Sequence, residues 1–265
     1  MPKVYIFDVD GTLTPSRRKM TKDFEKFFIK WSKNNPYWLV SGSNIEKMDE
    51  QVPEDIMIDA QGLFCCGGNE LWEFDPLGQI PEFDPHTINF PYSQIYEKKF
   101  EPPKDLIKYL EKQLKESQYF TRCGNHIEDR GSMINFSIVG RDCTLEERKT
   151  YFEYDNHTKE RQKIATEIRR KWSELDAVIG GQISIDIAKK SFDKSQVIFE
   201  IMQRNIVTSK DEYIFIGDRT EEGGNDYPLA KAMKELGNCR VFQAGEPAAD
   251  DGYIRTREIL ESLND

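Results

Sequence analysis

The sequence predicts an α/β chain, a Rossmann-like parallel-sheet core split by an inserted α+β domain, and three observations carry that expectation. First, "VYIFDVD" (4–10), "YWLVSGS" (37–43) and "YIFIGD" (213–218) are short apolar runs that end in carboxylates, hydroxyls or glycine. Buried strands of a parallel sheet read this way, and the ligands of such sheets lie beyond the strand C-termini. Second, "KDFEKFFIKWSK" (22–33) sets Phe24, Phe27, Phe28 and Trp31 at helical spacing between the first two runs, as a crossover helix requires. Third, the middle of the chain changes character. The tract 84–103, "DPHTINFPYSQIYEKKFEPP", bears prolines and reads as a loop. After it come "KDLIKYLEKQLKES" as a helix, "SMINFSIVG" as an alternating strand, a long charged helix through "TKERQKIATEIRRKWSEL", and "GGQISIDIA" (180–188) as a second alternating strand. Such a mixture suits an α+β unit with an antiparallel sheet. Strand–helix alternation resumes at "FDKSQVIFEIMQRN" (192–205), so the expected division is 1–83 and 189–265 for the core and 84–188 for the insertion.

At 265 residues the chain is long enough to bury a core, whether as one large domain or two smaller ones. No apolar run is long enough to span a bilayer, and "MPKVYIF" does not read as a signal peptide, so no membrane partner is expected and the cytoplasm is the expected compartment. Cys65, Cys66, Cys123, Cys143 and Cys239 are odd in number and form no CxxC, which points to reduced thiols. The formal charge of −10 opposes general affinity for nucleic acid. An anionic substrate would then need a local cluster of cations.

The chemistry concentrates in "IFDVDGTLT" (6–14). Residues two apart on a strand share a side, so Asp8 and Asp10 both face the crevice if extension persists, whereas Gly11 invites a turn. One carboxylate at a strand end suits a nucleophile that forms an aspartyl-phosphate; its neighbour suits the proton on the leaving oxygen. Two carboxylates this close repel unless a cation intervenes, and magnesium accepts carboxylate, carbonyl, phosphate and water oxygens. A calcium loop also contains DxDG, but here the later acidic positions and closing Glu are missing and a strand precedes it. "IGDRTEEGGND" (216–226) adds Asp218, a candidate metal ligand, with Asn225 and Asp226 after a glycine pair; alone it also reads as a helix cap and a solvated turn. Lys194 is placed to neutralise a phospho-aspartate, and Ser41 or Ser43 to donate to phosphoryl oxygens.

Taken in chain order, "DVDGT", a strand ending in Ser, a downstream Lys and "GDRTEEGGND" resemble the haloacid dehalogenase superfamily of phosphoryl-transfer enzymes. Within it, "TLTPSRRKMT", "DRGSMINFSIVGRDCTLEER" (129–148), "GGQISIDI" (180–187) and "FDKSQ" (192–196) resemble the eukaryotic-type phosphomannomutases, whose cap the insertion would form. The resemblance implies that Asp8 is phosphorylated, that Asp10 is the acid/base, that Lys194 and Ser41 steady the phosphoryl group, and that magnesium sits among Asp8, Asp10, Asp218 and Asp226. Its sugar-phosphate contacts fall on Arg17, Arg130, Arg141, Arg148, Ser184 and Asp186. It also implies a hexose 1,6-bisphosphate activator, a hexose 1-phosphate that feeds nucleotide-sugar synthesis, and a homodimer through the cap. Three stretches depart from the family: "VSGSN" stands where Gly-Gly-Ser is usual, "YPLAKAMKEL" replaces an acidic loop, and the tract 84–124 matches poorly. Nothing is therefore implied about a second ion site.

The arginines also carry a physical reading. Arg130 and Arg141 flank an alternating strand, and Arg148 lies on a helix whose "TLEE" start (144–147) reads as a capping box. Planar, bidentate arginines suit a phosphate held away from the metal, although each alone, with acids adjacent in "DRG" and "EER", also reads as a surface ion pair. Ser184 and Asp186 alternate onto one face of their strand. The expected function is a magnesium-dependent phosphohexomutase interconverting hexose 6-phosphate and hexose 1-phosphate. The alternative is a sugar-phosphate phosphatase on the same scaffold, in which water takes the phosphoryl group. A non-catalytic phosphosugar-binding protein would have lost the nucleophile, and Asp8 is intact.

Overall fold

The computed structural model describes residues 3–75, 91–204, 212–245 and 251–264. In chain order the first elements are β1 (Lys3–Asp8), α1 (Lys22–Ser32), β2 (Tyr37–Val40), α2 (Ile45–Gln51), α3 (Glu54–Asp59), β3 (Leu63–Cys65), β4 (Glu70–Phe74) and β5 (Tyr92–Glu97). Next come α4 (Lys104–Glu116), β6 (Ile127–Asp129), β7 (Ile134–Ser137), α5 (Leu145–Thr158), α6 (Glu160–Lys171), β8 (Leu175–Gly180) and β9 (Ser184–Lys189). The chain closes with α7 (Gln196–Arg204), β10 (Glu212–Gly217), α8 (Tyr227–Leu236), β11 (Cys239–Gln243) and α9 (Gly252–Asn264). No described helix is long and apolar enough to cross a membrane.

Seven strands form one sheet in the order β11-β10-β1-β2-β3-β4-β5. The first five are parallel, and β4 and β5 add an antiparallel edge. Chain order runs outward from β1 in both directions, which makes the gap between β1 and β10 a topological switch point, where such sheets bind ligands. The register pairs Asp8 with Val40 and Phe7 with Ile216, so Asp8, Ser41 and Asp218 emerge side by side at one edge.

Alternation along β1 feeds both faces. Tyr5 and Phe7 enter one core with Phe24, Phe28 and Trp31 of α1, while Val4 and Ile6 enter the other with Val197, Ile198 and Ile201 of α7. The Phe28 ring stands edge-on to Phe7 at 5.3 Å and to Tyr37 at 5.1 Å. Phe24 and Phe28 are fully enclosed, a burial that stabilises by roughly 1.5–3 kcal/mol each and explains why this aromatic stripe docks as the expected crossover helix.

The second sheet is antiparallel, in the order β6-β7-β9-β8. Ile134, Phe136, Ile185 and Ile187 turn to α4, α5 and α6, where Leu106, Tyr151 and Ile164 complete a core. The intervening Asn135, Ser184 and Asp186 therefore face the other way, toward the larger sheet. The capping box is present: Thr144 Oγ1 accepts from the Glu147 amide at 3.2 Å, and Glu147 Oε2 accepts from the Thr144 amide at 2.7 Å.

Two sequence expectations need correction. Residues 92–97, read as loop and counted with the insertion, form β5 on the larger sheet. This is an edge strand with one fully buried side chain, so its alternation is weak. The boundary at 83/84 itself lies outside the described residues; the chain passes between the sheets at 98–103 and 190–195. The charged helix read through 158–175 is the shorter α6: it is parted from α5 at Lys159, whose φ of 55° is left-handed, and Leu175 already belongs to β8.

Candidate active site

At the end of β1 the strand gives way to a tight turn. The Val9 carbonyl accepts from the amides of Thr12, Leu13 and Thr14 at 3.2, 3.0 and 3.1 Å, and Gly11 adopts a φ of +81°. A Cβ at Gly11 would also lie 2.6 Å from Asp218 Oδ2, so glycine is required for both conformation and space. The turn ends the extension, and Asp8 and Asp10 reach the same cavity from different backbone settings.

Asp8 sits at the bottom of a buried ionic cluster. Its Oδ1 accepts from Lys194 Nζ at 2.6 Å, and its Oδ2 is held more loosely by Thr12 Oγ1 at 3.2 Å. The same Lys194 ammonium donates to Asp226 Oδ1 at 2.6 Å, and Asp226 Oδ2 accepts from the Arg219 amide at 3.1 Å. Burial, and then the Asp226 carboxylate, lift the Asp8 carboxyl to about 7 against the pull of Lys194. Burial followed by Asp8 and Asp226 pushes Asp218 well above the usual carboxylate range. For Lys194 burial acts downward, but the two carboxylates outweigh it and hold the ammonium above the usual lysine range.

Asp8, Asp218 and Asp226 bring oxygens within 4.8 Å of one another. Three carboxylates meet here and the one ammonium bonds only two of them, Asp8 and Asp226; the donors are all oxygen, which fits a hard divalent cation. Asp10 stands outside that trio: its Oδ1 accepts from the Arg17 amide and from Gln51 Nε2, both at 2.7 Å.

The opposite wall is cationic. Arg130 directs Nε and Nη2 to Glu128 Oε2 at 2.9 and 2.6 Å and Nη1 to the Gly42 carbonyl of the larger domain at 3.2 Å. Arg141 donates to Ser184 Oγ at 3.1 Å and pairs with Glu128 at 3.5 Å. Asp186 Oδ1 accepts from Asn135 Nδ2 at 2.5 Å. Burial, followed by Arg17 and Arg130, brings the Arg141 guanidinium down to about 10. Arg17 is lowered by burial and then by Arg148, and Arg148 chiefly by burial. Arg130 is the exception: burial acts downward, but Asp186 and Glu128 outweigh it and raise the guanidinium, so the wall as a whole stays cationic and suited to an anion.

Between the walls lies a cavity of about 80 Å³. Asp8, Asp10, Arg17, Arg130, Ser184, Asp186 and Asp218 line it, with Ser43 and Asn225. Lys194 and Asp226 lie beneath, joined to Asp8. Arg141 reaches it through Ser184, and the buried Arg148 stands behind. The buried Ser41 hydroxyl accepts from the Ser43 amide at 3.0 Å, and Ser43 lines the cavity.

Residues 24–260 match the sequence model of the eukaryotic phosphomannomutase family. The chain belongs to that family. A phosphomannomutase of Encephalitozoon cuniculi is 31% identical over 262 residues, spanning 98% of this chain and 94% of its own. One of Drosophila melanogaster is 32% identical over 250 residues, spanning 89% of each. The fold is that of the haloacid dehalogenase superfamily. A haloacid dehalogenase-like hydrolase from Bacteroides thetaiotaomicron superposes with a TM-score of 0.55 at 13% identity, covering 99% of this chain and all of its own. Members of the phosphomannomutase family are isomerases that move phosphoryl groups.

Beyond the family's own motifs, the site holds residues that the sequence did not bring forward. Glu128 organises Arg130 and Arg141, and only its position two residues before Arg130 hinted at that. Asn135 is legible as the polar position of an alternating strand, directly opposite Asp186. Gln51 comes from the end of α2, and no local pattern links it to Asp10.

Proposed function

We propose that the protein is a magnesium-dependent phosphohexomutase that interconverts hexose 6-phosphate and hexose 1-phosphate through a hexose bisphosphate. The observation that carries this reading is the meeting of the buried Asp8–Lys194–Asp226 cluster with an arginine wall across one cavity. A phosphatase needs the first; a mutase must also grip a second phosphate while the first reacts.

In the proposed sequence an Asp8 oxygen attacks phosphorus of the bisphosphate, and the bond from phosphorus to the sugar oxygen breaks. Oδ2, with its single weak hydrogen bond, is the freer oxygen for this attack. The departing sugar oxygen takes its proton from Asp10. The bisphosphate's other phosphate rests on Arg130 and Arg141, aided by Arg17 and Arg148, while Ser184 and Asp186 meet sugar hydroxyls. In the return step a sugar hydroxyl attacks the aspartyl-phosphate, its proton passes to Asp10, and the Asp8–phosphorus bond breaks. Lys194 stays against Asp8 throughout. Asp8, Asp218 and Asp226 would hold magnesium, whose charge offsets that of the phosphoryl oxygens. Ser41, or Ser43 on the cavity lining beside it, donates to the phosphoryl oxygens. The smaller sheet acts as a cap over the core and excludes water, so that sugar and not water accepts the phosphoryl group. Family membership supports the accompanying reading of a cytoplasmic enzyme that feeds nucleotide-sugar synthesis and pairs through its cap.

The test follows hexose 6-phosphate and free phosphate together, with mannose 1-phosphate and magnesium, with and without catalytic glucose 1,6-bisphosphate. Bisphosphate-dependent hexose 6-phosphate without matching phosphate release is the expected result. Phosphate release regardless of the bisphosphate would make the enzyme a phosphatase.

A further inference from the structure

Asp10 is not oriented by the strand that delivers Asp8. It lies on the turn beyond it, so its carboxylate must be aimed by other groups. Two donors converge on a single oxygen: the Arg17 amide and Gln51 Nε2, each 2.7 Å from Oδ1. Among the described residues, Oδ2 has no such partner.

Gln51 is built for this contact. It ends α2, is 3% exposed, and rides on a helix that Ile45 and Met48 anchor in the core. Its carbonyl accepts from the Met20 amide at 2.8 Å, which ties the helix end to the loop bearing Arg17. Chemistry fixes its amide orientation, because the flipped form would press Oε1 against a carboxylate oxygen. In the observed orientation Oε1 is buried without a donor among the described residues. The side chain thus forgoes a hydrogen bond on one side while making the bond to Asp10 on the other.

We infer that Gln51 is a positioning residue for Asp10: with the Arg17 amide it occupies Oδ1 and turns Oδ2 to the sugar oxygen of the phosphoester. The inference rests on the phosphoryl-transfer reading above. When the phosphorus–oxygen bond to the sugar breaks, that oxygen takes the bonding pair and a proton from Oδ2; in the return step the attacking hydroxyl gives a proton back to Oδ2. A sugar oxygen needs this proton, whereas p-nitrophenolate leaves as a stable anion. Misaiming Asp10 should therefore penalise one leaving group and spare the other.

The experiment compares the magnesium-loaded full chain with Gln51→Met, which conserves volume, and Gln51→Glu, which conserves shape. Each is assayed on mannose 1-phosphate with activator and on p-nitrophenyl phosphate, the latter by the pre-steady-state burst of p-nitrophenolate, which reports phosphorylation of Asp8 alone. Both variants lack the amide donor, and general acid–base assistance commonly contributes 10²–10⁴-fold, of which misaiming forfeits part. The expected result is a fall of about 30- to 100-fold in kcat on the sugar phosphate with little change in KM, against less than about threefold on p-nitrophenyl phosphate. The ratio of the two rates in one sample does not depend on the fraction folded. Equal losses on both substrates, or no loss on the sugar phosphate, would overturn the positioning role. A parent enzyme inert toward both substrates would instead remove the phosphoryl-transfer reading, and this inference with it.

Discussion

Lys194→Met tests the buried cluster on which the site is built. Lys194 is 3% exposed and donates to Asp8 and Asp226 at 2.6 Å each, so its removal leaves carboxylates enclosed without their cation. Removing one partner of a buried ion pair costs about 3–5 kcal/mol. For a chain of this size that corresponds to a fall of roughly 6–20 °C in Tm. The loss has a predicted pH signature. Asp8 is raised in the folded chain to about 7, and a carboxyl raised above its unfolded value favours the folded state at low pH and loses that advantage as pH rises through the folded value. Without Lys194 the Asp8 carboxyl rises further, so the deficit should be small near pH 5 and grow above pH 7. Urea unfolding of the magnesium-free protein across this range measures it. A loss below about 1 kcal/mol at pH 8, or one that does not vary with pH, would refute the argument that Lys194 compensates ionised carboxylates.

Gly11→Ala should destabilise the chain by at least about 1–2 kcal/mol, because it forces a left-handed alanine against Asp218; thermal unfolding and magnesium titration should show loss of both stability and magnesium response. Arg141→Ala should raise KM for the phosphosugar by roughly 10- to 100-fold, while turnover of p-nitrophenyl phosphate, which has no second phosphate, changes little; steady-state kinetics on the two substrates separates these outcomes. Glu128 is subject to burial, which acts upward, yet Arg130 and Arg141 hold it below the usual glutamate range. Its stabilising share is thus present above the ordinary glutamate value and lost as pH falls through the lower folded value, so Glu128→Gln should flatten the stability profile on its acid limb, below the ordinary glutamate range.

The parallel strands were legible because β1, β2 and β10 are apolar runs with polar ends, a pattern that burial on both faces demands. The aromatic stripe of α1 and the capping box at Thr144 were equally local signals. The polar face of β9 was readable from the alternation of Ser184 and Asp186, and Asn135 joins it across the sheet. Other features were hidden for physical reasons. β5 is a partly exposed edge strand and carries little hydrophobic period. The break at Lys159 uses a lysine in a conformation that usually announces itself through glycine or asparagine. Ser41 and Ser43 share one short segment, and only the turn, in which the Ser41 hydroxyl accepts from the Ser43 amide, brings Ser43 to the cavity lining. Gln51 meets Asp10 across 41 residues of sequence, a distance that packing sets and no local motif encodes.

The central claim is that Asp8 receives the phosphoryl group from a sugar bisphosphate and returns it to sugar. Acid quenching after mixing with phosphate-labelled hexose 1,6-bisphosphate and magnesium, followed by peptide mapping, tests it directly. The account predicts label on Asp8 that moves into hexose bisphosphate when unlabelled hexose monophosphate is added. Label on another residue, or label that leaves Asp8 only as free phosphate, would contradict it.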